Sequence, residues 1–235
     1  VFIVVASFMA VGLVMTLLIQ EAIKNPTPPK TLREAVVDPF REFSQRQGLG
    51  AAALILAFLF FYKLGDNMAT ALSTPFYIDL GFTLTQIGSI AKVASLIAVI
   101  VGGVIGGVVM VKISINRALW IFGFVQIISI LGFAWLAEVG NNPWVLGTVV
   151  AFEYLGVGLG AAALVAFMAR MTNVVFAATQ FALFSALASV PRIFANAVTG
   201  VIVERVGWTD FFLLCTVLAI PGLLLLIKIA PWHES

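Results

Sequence analysis

Lys63, Asp66, Lys92, Glu153 and Arg192 are ionisable side chains set in stretches that are otherwise apolar. A charge at the centre of a bilayer costs about 2.5–3.5 kcal/mol on insertion scales, so such residues are expected to face a watery cavity or a partner. Spacing sharpens the expectation. Lys63, Asp66, Asn67, Thr70 and Thr74 follow i, i+3, i+4, i+7 and i+11, which is one face of a helix. Ser185, Ser189, Arg192, Asn196 and Thr199 repeat the rule, and Ser89, Lys92 and Ser95 make a shorter stripe. The chemistry on offer is the handling of ions and solutes. Asp66 or Glu153 would carry a proton, with Glu153 favoured because no basic residue adjoins it on its own helix. Lys63, Lys92 and Arg192 would bind an anion; three basic groups face two acidic ones, which leaves one positive charge for an anionic substrate. Pairing of Asp66 with Lys63 or Lys92, and of Glu153 with Arg192, would equally serve to hold helices together, and both readings stand at this point.

The elements that position these residues follow from composition. Hydrophobic residues make up 62% of the 235-residue chain and charged residues 10%, against roughly 45–50% and about 25% in a soluble domain. So few charges cannot cover a soluble surface, and the bilayer is the solvent. One cysteine, Cys215, and one histidine, His233, leave no disulfide framework, metal site or histidine-based triad to build. No nucleophile motif stands out either. We therefore expect no catalytic residue, no metal and no cofactor, and a membrane-embedded enzyme is disfavoured; nothing points to a nucleic-acid partner.

Apolar runs long enough to cross a bilayer need about 20 residues. They occur at 1–19, 49–74, 85–110, 118–138, 144–168, 176–200 and 209–230. Between the first two lies the polar segment 20–48, which is read as a linker carrying a short amphipathic surface helix from Leu32 to Phe43. Residues 231–235 form a tail. Nine Lys and Arg lie in the 20–48, 111–117 and 169–175 segments and at Lys228, against Arg205 alone in the alternate loops. The charge asymmetry places the linker and C-terminus in the cytoplasm. The chain opens with Val1 inside an apolar run, so a piece of a longer protein is expected. From span midpoints, all five buried charges fall within roughly 10 Å of the midplane at 1.5 Å per residue.

One leading helix, a long linker and six closely connected helices resemble the layout of the major facilitator superfamily: its C-terminal six-helix half plus the last helix of the N-terminal half. The fold class expected is therefore an all-α membrane bundle, with residues 49–230 as that half and 1–19 as the sixth helix. Such halves are built from inverted three-helix repeats. The segment 107–117 (GVVMVKISINR) and the segment 200–208 (GVIVERVGW) occupy equivalent positions, and the second resembles the superfamily loop G-x-x-x-D-R-x-G. Gly107, Lys112 and Arg117, with Gly200, Glu204, Arg205 and Gly207, are thus candidate gating residues. Val111 and Ser114 depart from the pattern in the first copy. Gly102, Gly103, Gly106 and Gly107, and Gly156 with Gly160, give the G-x-x-x-G spacing of close helix contacts. In the superfamily helices 7, 8, 10 and 11 line the central cavity, and here the charges fall on those four, while helix 9 offers only Gln126 and helix 12 only Cys215 and Thr216.

YKLGD (62–66), NRALWIFG (116–123), FE (152–153), ATQFALFSAL (178–187) with Arg192 after it, and GWTDFFLL (207–214) together resemble the AmpG-type muropeptide permeases. The resemblance implies proton-driven import, across the bacterial inner membrane, of anhydromuropeptides: amino-sugar disaccharides bearing an acidic peptide. It carries YKLGD onto Tyr62 to Asp66, a helix-10 acid onto Glu153 and a helix-11 arginine onto Arg192. Pro191 before that arginine departs from the family and would aim its side chain differently. Tyr62, Lys63, Asn67, Lys92, Arg192 and Asn196 are then the substrate-binding candidates, Asp66 and Glu153 the proton-coupling ones. The proton gradient takes the place of a cofactor, and the partners are a small anionic solute, the bilayer and the missing N-terminal half. Transport of another anionic solute, such as a small peptide or an acyl-CoA, and a non-transporting sensor remain the alternatives.

Overall fold

The computed structural model describes residues 10, 12–18 and 31–232. The expected first span therefore lies largely outside the described residues, although residues 12–18 are helical; the start of the linker, 20–30, and the end of the tail lie outside them altogether.

Seven α-helices and one 3-10 turn, Val174–Phe176, make up most of the rest. Helix α1, Leu32–Gln47, starts where the Thr31 hydroxyl accepts from the Glu34 amide at 3.1 Å. Helix α2, Leu49–Ala71, is followed after Leu72 by α3, Ser73–Asp79, and together they run well past the expected end at 74. Helix α4, Leu84–Met110, opens with a capping box between Thr83 and Gln86 and contains a π-helical turn over Ile87–Lys92. Helices α5, Ile115–Val139, and α6, Pro143–Met171, begin at the capping side chains of Ser114 and Asn142. The last helix, α7, covers Ala177–Ile229, roughly 80 Å at 1.5 Å per residue and far longer than a bilayer is thick. It breaks at Gly207, where φ of 80° and ψ of 173° reverse the chain into two arms. The loop expected at 201–208 is thus a correction to the sequence reading: residues 201–206 continue the helix and one left-handed glycine makes the turn. A side chain at Gly207 would be strained there.

Polar ties hold the loops at alternate ends of the bundle. At one end the Arg46 guanidinium donates to Met171 O at 2.7 Å, Arg170 to Asn116 Oδ1 at 2.6 Å and Trp120 to Ala230 O at 3.0 Å. At the other, Asn141 donates to Gly81 O at 2.7 Å, Trp208 to Asp79 at 3.1 Å and Thr209 to Glu138 at 2.7 Å. Each end has its own apolar core. One packs Phe58, Phe122, Phe167 and Phe184; the other packs Phe76, Phe133, Phe211 and Phe212. The half-polar layer between them is where α2, α5 and α6 place residues 63–66, 126–129 and 153–156.

Helix α1 is fastened to the first end by one carboxylate. Glu42 accepts from Arg46 Nε at 2.8 Å, Asn173 Nδ2 at 2.8 Å and Gln180 Nε2 at 2.6 Å, and Gln180 also donates to Pro39 O at 2.9 Å. Phe43 packs edge-on against Phe184 at 5.1 Å beneath these contacts. Burial alone would push the Glu42 carboxyl up, but the bonds from Asn173, Gln180 and Arg46 outweigh it and hold it below the ordinary carboxylate range. Its contribution to docking is therefore present above that range and lost as pH falls through the lowered value. Hydrogen–deuterium exchange should report this: Glu42→Gln is expected to speed exchange over residues 36–47 about tenfold at neutral pH, allowing for partial exposure of the charge-assisted bonds. Acidification should do the same to the parent and leave the variant unmoved. Unchanged protection in Glu42→Gln would show that the apolar contacts dock the helix alone.

Candidate functional site: a buried carboxyl pair

Mid-bundle, Lys63 and Asp66 lie one turn apart on α2, and the Lys63 ammonium meets Asp66 Oδ2 at 2.7 Å with side-chain exposures of 12% and 5%. Across the helix interface Glu153 of α6, 1% exposed, comes within hydrogen-bonding reach of Asp66 and of Ser129. Asp66 Oδ1 and Glu153 Oε2 are buried and accept no hydrogen bond within the protein. Two carboxyls thus face each other in a space shielded from water. A further side chain closes the cluster: Gln126 of α5 lies 3.4 Å from the Lys63 ammonium and 3.5 Å from the Tyr62 hydroxyl. The Tyr62 hydroxyl donates in turn to Leu119 O at 3.1 Å.

The local folding of this layer depends on glycines. Gly65 of α2 meets the Cys215 carbonyl of α7, where an added Cβ would stand only 2.6 Å from the oxygen. Gly160 of α6 faces the Gln126 amide, and a Cβ would overlap its Nε2. The absence of side chains lets four helices, α2 against α7 and α5 against α6, close on the polar layer. Gly102 and Gly106 do the same between α4 and α6, whereas Gly103 and Gly107 face open space, so one of the two overlapping patterns packs and the other does not.

This chemistry, a charged, dry layer inside a helical bundle whose loops alternate ends, suits a carrier of ions and solutes. The sequence profile of the Major Facilitator Superfamily matches residues 1–186. The chain belongs to the major facilitator superfamily. Two relatives are similar along most of it. An uncharacterized protein of Haemophilus influenzae is 43% identical over 244 residues, covering 100% of this chain and 57% of its own. The anhydromuropeptide permease of Escherichia coli K12 is 41% identical over 216 residues, covering 92% of this chain and 43% of its own. The chain spans about half the length of these curated relatives. The likeness to muropeptide permeases read from YKLGD and ATQFAL thus extends over most of the chain. Of the quoted motifs, ATQFAL also supplies the Gln180 that fastens α1.

As a bundle of the superfamily, the chain divides its candidate residues into two groups. Tyr62, Lys63, Asp66 and Glu153 meet in the buried layer. Lys92, Arg192 and Asn196 are exposed on the flanks of α4 and α7, and Asn67 is half-buried. The expected surplus of positive charge is therefore corrected for the cluster itself, where one ammonium faces two carboxyls. Lys92 stands at the end of the π-helical turn, clear of Asp66. Several hydroxyls of the polar stripes turn back on their own helices: Ser89 donates to Thr85 O, Ser95 to Lys92 O, Thr70 to Asp66 O and Ser189 to Ser185 O. Thr199 is buried with its hydroxyl unpartnered.

Among the gating candidates, Gly107, Lys112, Glu204 and Arg205 are exposed, Gly200 is half-buried and Gly207 is the turn itself. Arg117 holds the C-terminal end, donating to Trp232 O at 3.4 Å with its guanidinium 5.9 Å from that ring. The two loop motifs lie at opposite ends of the bundle. Among the described residues, no three His, Cys, Asp or Glu gather as a metal site would require. Sequence reasoning noted Gln126 only as the polar residue of an uncharged helix, gave it no role, and passed over Ser129. Both are buried, and their spacing of three residues on a helix facing Gly156 and Gly160 was the available signal.

Proposed function

We propose that this chain is the C-terminal half, with the preceding helix, of a proton-coupled importer of anhydromuropeptides in the bacterial inner membrane. In this reading the linker and C-terminus face the cytoplasm. The single observation that carries it is the Asp66–Glu153 pair with one lysine beside it: two carboxyls and one ammonium balance only when one proton is bound. Asp66 and Glu153 are the proton site, restrained by Lys63 and Tyr62. Lys92, Arg192 and Asn196, exposed on the bundle flank, bind the acidic peptide of the substrate, and Asn67 lines the route between. The exposed Gly107, Lys112, Arg117 and Glu204–Arg205 segments, with Gly200 and Gly207, act as gates. The muropeptide is supported by the permease relative, and two exposed cations accord with an anionic solute.

Right-side-out vesicles containing the full-length protein test this reading. Uptake of labelled anhydromuropeptide should rise with an inward proton gradient and collapse with an uncoupler. Arg192→Ala and Lys92→Ala should each raise KM about tenfold, the loss of a charge-assisted contact. Unchanged KM in both variants would remove these side chains from the substrate site. Gradient-driven uptake of a free acidic peptide, with none of the muropeptide, would overturn the substrate.

A further inference from the structure

Gln126 is polar in the middle of an apolar helix and is seated in a socket shaped for it. It is 5% exposed. Gly160 leaves no space for a Cβ beside its amide nitrogen, and a Cβ at Gly156 would come within 3.5 Å of its Cγ. The hydrogen-bond directions around it are fixed from one end. Tyr62 gives its only hydroxyl proton to Leu119 O, so towards Gln126 its oxygen can only accept. The Gln126 amide nitrogen must therefore point at Tyr62, where it also reaches Phe122 O at 3.4 Å. Its carbonyl oxygen then points at the Lys63 ammonium, which has donors alone.

Resting on the proton-site reading above, we infer that Gln126 is a positioning residue for that site. Its carbonyl draws the Lys63 ammonium partly off Asp66 and so sets how firmly the Asp66–Glu153 pair keeps its proton. The groups that face the pair are Tyr62 and Lys63 on α2, Tyr77 on α3, Tyr154 on α6, and Arg192 and Cys215 on α7. Of these, Lys63 is the cation in hydrogen-bond contact, while Arg192 reaches the cluster only beside Tyr154. The position of the Lys63 ammonium is accordingly the adjustable quantity. At 3.4 Å from Gln126 and 2.7 Å from Asp66 it is held unequally, closer to the carboxylate but shared.

The sign of each substitution follows. Gln126→Met keeps the volume and removes the acceptor, so Lys63 settles fully on Asp66 and the pair releases its proton more readily. Gln126→Glu pulls Lys63 the other way and adds a like charge near the pair, so the proton is kept more firmly. Gly160→Ala displaces the amide without altering any polar group and should act like Gln126→Met. The pH of half-maximal uptake by the full-length protein should fall by about one unit in Gln126→Met and in Gly160→Ala, and rise in Gln126→Glu. A titration of the protonated-carboxyl infrared band on purified protein reads the same shift without requiring transport. If the variants show lower rates with the parent's pH midpoint by both readouts, Gln126 is a packing residue and the inference fails. If the parent itself shows no pH dependence while transporting, the proton site fails, and this inference with it.

Discussion

Glu153→Gln is expected to abolish accumulation of substrate against its gradient while leaving exchange of internal for external substrate in place. The glutamine is close in size, and its NH2 can donate to the Asp66 oxygen that now accepts from nothing. It therefore imitates the pair with its proton bound and keeps the layer neutral beside Lys63. A carrier locked in that state can still reorient with substrate, but it can no longer take up and release the driving ion. Steady-state accumulation in energised vesicles should fall at least tenfold, to the level of equilibration, whereas counterflow should stay within about twofold of the parent, since the binding step loses no contact. Asp66→Asn should share the loss of accumulation. It should also weaken counterflow, because Lys63 then exchanges its carboxylate partner for a neutral amide oxygen. Accumulation that survives Glu153→Gln with its pH dependence intact would move the proton site elsewhere.

How much of this was legible in the sequence depends on the kind of constraint. Apolar length gives the spans because a bilayer sets a minimum, and the described helices cover each expected run from 49 onward. The amphipathic stretch expected from Leu32 to Phe43 is helical as α1, but its buried residues are Pro39 and Phe43, and Phe40 is exposed. Periodicity also put Lys63 and Asp66 on one side of α2. What periodicity cannot give is the partner across the interface. It ranks faces by polarity, so the single glutamine on α5 scores as incidental and the arginine on α7 as central. Packing reverses this: Gly156 and Gly160 bring α5 against the charge layer, and Arg192 is left exposed. The turn at Gly207 failed for a similar reason. The residues before it, mostly β-branched, stay helical, and one φ angle, not a run of polar residues, ends the helix.

The arrangement of the layer makes Lys63 its structural keystone, and the stability of the bundle should show it. With side-chain exposures of 12% and 5%, the Lys63–Asp66 pair is close to fully shielded. Removing one partner of such a pair strands the other and typically costs about 3–5 kcal/mol. Here the loss is compounded, since Lys63→Met leaves two facing carboxyls with no cation in contact and turns the Gln126 carbonyl toward an apolar side chain. Thermal unfolding of the purified full-length protein in detergent should show a clear fall in Tm for Lys63→Met. The double variant Lys63→Met with Asp66→Asn relieves the like-charge contact: the asparagine NH2 donates to Glu153, and one carboxyl remains instead of two. It should recover more than half of the lost stability, a coupling that independent contacts would not produce. Were the double variant as unstable as Lys63→Met, the lysine would matter through its aliphatic packing in the α2–α5 interface rather than through its charge. The balance of one proton, one ammonium and two carboxyls would then no longer describe what holds the layer together.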